Sequence, residues 1–136
     1  MCIRDREIGE PRLRGMLRLA GYIPNSDLPA IYNRASAFLY TSLRESFGIP
    51  QLEAMACGTP VVTSATSAIP EVAGEGAILV DPTDPKAIAD ALLRLETDAA
   101  FRARQVAYGL ERVKRFSWEK TARHLLALYE SLGKTN

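Results

Sequence analysis

Three short apolar runs, SAFLYTS, TPVVTS and AILVD, are spaced along the middle of the chain with helix-patterned segments between them. A strand that is followed by a helix and then another strand pairs in parallel with the first through a crossover. This alternation therefore confines the chain to an α/β sheet rather than a bundle or a sandwich. SAFLYTS is continuously apolar and reads as a central strand covered on both faces. MLRLAG, upstream, supplies a further strand candidate.

The intervening segments carry helix punctuation. NSDLPAIYNRA offers Asn25, Ser26 or Asp27 as an N-cap, with Leu28, Ile31 and Tyr32 spaced for one buried face. PQLEAMACG opens with Pro50 at a first helical position and stops at Gly58. ATSAIPEVAGEGA, with Pro70, Gly74 and Gly76, has room for a short helix or turn only. Beyond DPTDP the pattern becomes helical throughout. Asp84 and Pro85 open a helix facing inward through Ile88, Ala91, Leu92 and Leu95, and FRARQVAYGLERVKRF forms the next. A last helix from Ser117 carries the stripe Trp118, Ala122, Leu125, Leu126, Tyr129 and Leu132. No internal repeat or linker divides the chain.

Bulk properties exclude several partners. The 136 residues are 47% hydrophobic, enough for one domain with a core. Lys and Arg number 17 against 16 Asp and Glu, a net charge of +1 that provides no field for nucleic acid. No apolar run reaches the roughly 20 residues of a bilayer crossing, and the polar start is unlike a secretory signal, so a cytoplasmic location is expected. Cys2 and Cys57 lie in unlike contexts, which suggests neither a disulfide nor a metal site, and Cys57 reads as a small buried hydrophobe. His124, the one histidine, reads as a surface or packing residue; Asp81 and Asp84 read as turn and cap residues. The basic helix with Arg102, Arg104, Arg112, Lys114 and Arg115 is interleaved with acids and aromatics, as in a solvated face.

The chemistry is concentrated in RESFGIPQLE, Arg44 to Glu53. In a parallel sheet, ligands bind beyond the carboxyl ends of the strands, where the following helices start. Gly48 lets the backbone approach a ligand, and the N–H groups of Ser46, Phe47, Gly48 and Ile49 can be offered to oxygen atoms. Glu45 and Glu53 would repel a bare phosphate, but carboxylates accept well from sugar hydroxyls. A ligand joining phosphate to polyhydroxylated groups, such as a nucleotide sugar, suits both halves. The spacing is equally compatible with a plainer arrangement, in which Glu53 is a favourable first-turn acid and Glu45 a solvated charge paired with Arg44.

The run TSLRESFGIPQLEAMACGTPVVTSATSAIPEVAGEGAILVDPTD resembles the donor-binding signature of the retaining glycosyltransferases of the two-domain GT-B fold, called family 4 or group 1. The two glutamates separated by seven residues, Glu45 and Glu53, are its hallmark, and the likeness extends from Leu13 to Leu132. The resemblance implies a partial Rossmann-like parallel sheet, the C-terminal half of a GT-B fold, with C-terminal helices. It implies a hexose transferred from a GDP- or UDP-sugar to an acceptor hydroxyl with retention. Glu45 would contact the transferred sugar near the reacting centre as the catalytic residue. Ser46, Phe47, Gly48 and Ile49 would contact sugar and phosphate, Glu53 the ribose, and the backbone at Ile23 the base. Ser46 stands where the family often has glycine, which leaves that approach less open.

The family generally works without a metal or cofactor, using a basic pair at the start of the donor domain; no counterpart is present in this sequence. The expected domain plan is accordingly a non-native or truncated leader over 1–12, MCIRDR resembling a translated adapter remnant, and a nucleotide-sugar-binding domain over 13–136, incomplete at its N-terminus. A saccharide or lipid-linked acceptor would be bound through a missing N-terminal domain, and the fragment alone would be inactive. Lipid-linked acceptors would bring association with the inner face of the cell membrane. TSATSAIPEV is similar to members using GDP-mannose, and UDP-sugar users share most of the same residues. Two other readings compete: a non-catalytic nucleotide-sugar-binding module, and a nucleotide-sugar epimerase of related fold.

Overall fold

A computed structural model of the chain describes residues 15–133. The leader over 1–12, with Cys2, and the junction at Leu13 lie outside the described residues. The elements run α1 (Leu28–Arg34), β1 (Phe38–Tyr40), α2 (Ile49–Ala56), β2 (Val61–Ser64), α3 (Ile69–Ala73), a 3-10 turn (Gly74–Gly76), β3 (Ala77–Val80), α4 (Pro85–Thr97), α5 (Ala99–Val113) and α6 (Trp118–Gly133). The three strands form one parallel sheet in the order β1-β2-β3, with Phe38 opposite Val61 and Val61 opposite Ala77. The α/β class with C-terminal helices is thus as expected.

Side chains alternate across a strand, so the register sorts them onto two faces. Phe38, Tyr40, Val61 and Ala77 point to one side, where Tyr32 of α1, Ala54 and Met55 of α2, and Ile69 and Ala73 of α3 complete the core. Val62, Ile78 and Val80 point to the other, against Ala87, Ala91 and Leu95 of α4 and Phe101 of α5. Asp84 caps α4 by accepting from the N–H groups of Lys86 and Ala87, and Asp98 caps α5 through the Phe101 N–H. Asp81 accepts from Thr83 in the preceding turn. The turn and cap roles of Asp81 and Asp84 are those expected.

Several expectations change. SAFLYTS is the edge, and TPVVTS, buried at every strand position, is the centre. The cause lies in cover: Leu39 shares the second face with Val62, but α4 lies over β2 and β3, leaving Leu39 43% exposed. MLRLAG forms no strand; Met16, Leu17 and Leu19 are exposed and pair with none of the three strands, and a strand without a neighbour cannot satisfy its backbone. On the short α1, Tyr32 is buried and Leu28 half-buried, while Ile31 faces out. Cys57 is half-buried at the edge of the first core rather than inside it. The stripe of α6 meets no cover among the described residues, and no residue of that helix is buried.

α5 reaches the core through two glycines. A Cβ on Gly109 would lie 3.2 Å from Met55 Cγ, and one on Gly76 3.2 Å from the Gly109 Cα. Glycine within a helix costs about 1 kcal/mol relative to alanine, and here that cost brings the α5 backbone against α2 and the 3-10 turn. Arg112, one turn further along, donates to the carbonyls of Glu71 and Val72 and so satisfies the end of the short α3.

Candidate functional site

The loop from Thr41 to Gly48 leaves the carboxyl end of β1 and enters α2. Gly48 is the N-cap, at φ 80° and ψ 54°, a left-handed conformation that disfavours any side chain. A Cβ there would also lie 2.9 Å from Gln51 Nε2 and 3.6 Å from Tyr40 Cε1. The turn itself therefore requires this glycine. Ile49 is the first helical residue and Pro50 the second, one place later than the sequence pattern suggests. The first turn of any helix leaves N–H groups without intrahelical partners; Pro50 has none to leave and that of Gln51 goes to the Gly48 carbonyl, so Gly48 and Ile49 carry the helix-start donors, with Ser46 and Phe47 in the loop ahead of them.

The loop is pinned by hydroxyls from the central strand and the turn after it. Thr63 donates to the Tyr40 carbonyl at 2.8 Å and Ser64 to that of Ser42 at 2.6 Å. Thr66 donates to the Leu43 carbonyl at 3.3 Å. Ser67 donates to the Glu45 carbonyl at 2.5 Å and accepts from the Glu45 N–H at 3.2 Å. Four hydroxyls in TSATS thus hold the carbonyls of Tyr40, Ser42, Leu43 and Glu45, each satisfying backbone that would otherwise need water. Ser67 adopts φ 60°, the one non-glycine residue with positive φ among those described. A non-glycine residue in that region costs roughly 1–2 kcal/mol, which the two bonds to Glu45 help to offset. Sequence reasoning passed over this ladder, although the signal was a run of hydroxyls where a strand ends.

Each glutamate takes a tyrosine. The Tyr40 hydroxyl donates to Glu45 Oε1 at 2.6 Å, and the Tyr32 hydroxyl to Glu53 Oε2 at 3.1 Å. Neither bond was visible in the sequence, since the partners sit on different elements. The Tyr40 bond, then a Ser42 hydroxyl, hold the Glu45 carboxyl below the usual glutamate value. Burial first, then the bonded glutamate, pushes each tyrosine up to about 12. Both tyrosines therefore remain protonated donors throughout the neutral range. Phe38 lies between them, edge-on to Tyr32 with ring centroids 5.2 Å apart and stacked on Tyr40 at 5.9 Å.

These contacts bear on the plainer arrangement. Glu53 lies beyond the first turn of α2, which contains no acid, so it is not a helix-start acid. The Glu45 carboxylate is held by Tyr40, with no Arg44 ion pair among the described residues. Glu45 and Glu53 flank the loop containing Ser46, Phe47 and Gly48 and the start of α2 at Ile49. Ile23, half-buried ahead of α1, stands outside this hydrogen-bonded cluster.

Next to it, Phe47, Ile49 and Leu52 line an open groove of about 520 Å³ with Phe116, Trp118 and His124. His124 is exposed, as expected, yet shares this groove with the glutamate loop. Arg104 lies over the Phe101 ring and Lys114 pairs with Glu111, so the basic helix spends part of its charge locally. Among the described residues no three His, Cys, Asp or Glu side chains are grouped to hold a metal, and no helix is long and apolar enough to cross a membrane.

Residues 5–112 match the family model for group 1 glycosyl transferases. The chain is 42% identical over 118 residues to the O-antigen chain mannosyltransferase B of Escherichia coli, covering 87% of this chain and 31% of that protein. It is 41% identical over 111 residues to the D-inositol 3-phosphate glycosyltransferase of Corynebacterium urealyticum, covering 80% and 26%. Among solved structures, sucrose-phosphate synthase from Thermosynechococcus elongatus superposes with a TM-score of 0.82 at 32% identity, over 98% of this chain and 35% of that one. The chain thus spans about a third or less of these relatives. It belongs to the group 1 glycosyl transferases.

Proposed function

We propose that this member of the group 1 family is the nucleotide-sugar-binding part of a retaining hexosyltransferase, with residues 13–136 as its donor domain. The observation that carries the reading is the pair of carboxylates, each anchored by a tyrosine, on either side of a helix start. The helix start offers N–H groups and partial positive charge to a diphosphate, and anchored carboxylates offer acceptors to hydroxyls. One ligand with phosphates in the middle and a sugar at each end meets all three.

In that reading Glu45 receives hydroxyls of the transferred sugar and stands close enough to the anomeric carbon to favour its developing positive charge. Glu53 receives the ribose, and the backbone of Ser46, Phe47, Gly48 and Ile49 receives sugar and phosphate oxygens. Ile23 packs against the base. The mannosyltransferase relative and the TSATSAIPEV turn favour a GDP-mannose donor within this class. The share of each relative that the chain spans supports an acceptor, saccharide or lipid-linked, bound by a further domain, with weak transfer by this chain alone. That acceptor would place the enzyme in the cytoplasm or against the inner face of the membrane.

Calorimetric titration of the chain with GDP- and UDP-sugars tests this reading. One nucleotide class should bind more tightly, and Glu45→Ala and Glu53→Ala should each weaken it by roughly tenfold to a hundredfold, the usual range for a bond to a charged acceptor. Binding by both variants equal to that of the parent chain would sink the site assignment. Ordinary enzymatic rates from this chain alone would overturn the division of labour between domains.

A further inference from the structure

A carboxylate on a loop pays a conformational cost when it meets a ligand, unless something already holds its rotamer. Glu45 is such a residue, three positions before the helix cap and only half-buried. Two independent features hold it. Ser67 brackets its backbone through both the N–H and the carbonyl. The Tyr40 hydroxyl, 2.6 Å from Oε1, holds its side chain from the end of β1. Tyr40 is itself fixed: its ring stacks on Phe38, which packs edge-on to Tyr32, and its carbonyl accepts from Thr63.

We propose that Tyr40 is a positioning residue for Glu45, presetting the carboxylate so that its remaining acceptor sites meet the hydroxyls of the donor sugar. The proposal rests on the donor-site reading of Glu45 given above. A carboxylate has about four lone-pair sites, so one bond to Tyr40 leaves the others for a ligand. A phenol suits this role better than a lysine or arginine. It orients the carboxylate without neutralising it, and the full negative charge is what would favour an electron-poor anomeric carbon. The groups facing Glu45 are Tyr40 on β1, Ser42 on its own loop and Ser67 on the turn after β2; Tyr32 and Glu53 lie at the far end of the aromatic row.

Tyr40→Phe removes the hydroxyl and keeps the ring. Carbon-detected NMR of the glutamate carboxyls, on the chain without donor, should show the Glu45 titration rising toward the ordinary value of 4.5, because the lowered folded-state value comes first from Tyr40. Calorimetry with the nucleotide sugar that binds the parent chain should show affinity falling about tenfold. The acid limb of binding should move to higher pH as well, since a less stabilised carboxylate is protonated earlier. Tyr32→Phe should leave the Glu45 titration in place. An unmoved Glu45 titration in Tyr40→Phe overturns the positioning role whatever happens to binding. A moved titration with unchanged affinity overturns it too, provided Glu45→Ala loses binding. Glu45→Ala binding like the parent chain overturns the donor-site reading, and the positioning role for sugar falls with it.

Discussion

The sheet with its glutamate loop and the last helix make opposite uses of equally clear sequence patterns. Around β2 every strand residue is buried, and hydroxyls from TSATS tie the neighbouring loop in place. In α6 an apolar stripe at regular helical spacing stays open, with Trp118 82% and Leu126 59% exposed. An amphipathic face records that burial there would be favourable. It carries no information about which surface, if any, comes to cover it.

The sharpest way to break this comparison is to remove equivalent bulk from each region. Met55→Ala empties a site on α2 that is 1% exposed and faces the 3-10 turn and α5, and should lower stability by about 2–5 kcal/mol in chemical denaturation. Leu126→Ala should change it by no more than about 0.5 kcal/mol. A large loss from Leu126→Ala would show that the stripe is covered in solution. Next in size, Gly109→Val pushes side-chain atoms into Met55 and should cost about 1–3 kcal/mol. Gly133 in α6 has open space around it, so Gly133→Val should be nearly neutral by the same measurement.

The smallest effect concerns the turn that brackets Glu45. Ser67→Ala loses two hydrogen bonds and keeps the positive φ, whereas Ser67→Gly loses the same bonds but adopts that φ without strain. The alanine variant should therefore be the less stable of the two by about 1 kcal/mol. Equal stabilities would indicate that the turn relaxes away from φ 60° once the hydroxyl is gone.

Much of this was legible beforehand. Asp84 and Pro85 start α4 where they should, Gly58 ends α2, and the three apolar runs are the three parallel strands. The position of RESFGIP at a strand end followed as well, because loop placement in a parallel sheet depends only on the order of strand and helix. Two of the misreadings share a cause. SAFLYTS reads as central and MLRLAG as a strand because an apolar run reports affinity for burial, whereas strand order decides which runs find neighbours. Glu53 reads as a helix-start acid for a different reason: Pro50 suggests a cap at Ile49, one residue later than the true cap at Gly48, and so draws Glu53 closer to the helix start than it is.

Local interactions act over three or four residues, so strand, helix, cap and turn are properties of the sequence itself. The carboxylate pair and its distance from the helix start belong there too. Contacts between segments twenty or more residues apart belong to the tertiary structure. Ser67 reaches Glu45 because a parallel crossover returns its segment to the carboxyl end of the sheet, and Tyr32 reaches Glu53 because the helices before and after β1 pack on the same face. Those contacts turn two separate acids into an anchored pair, and tertiary packing decides that β2 is buried while α6 remains open.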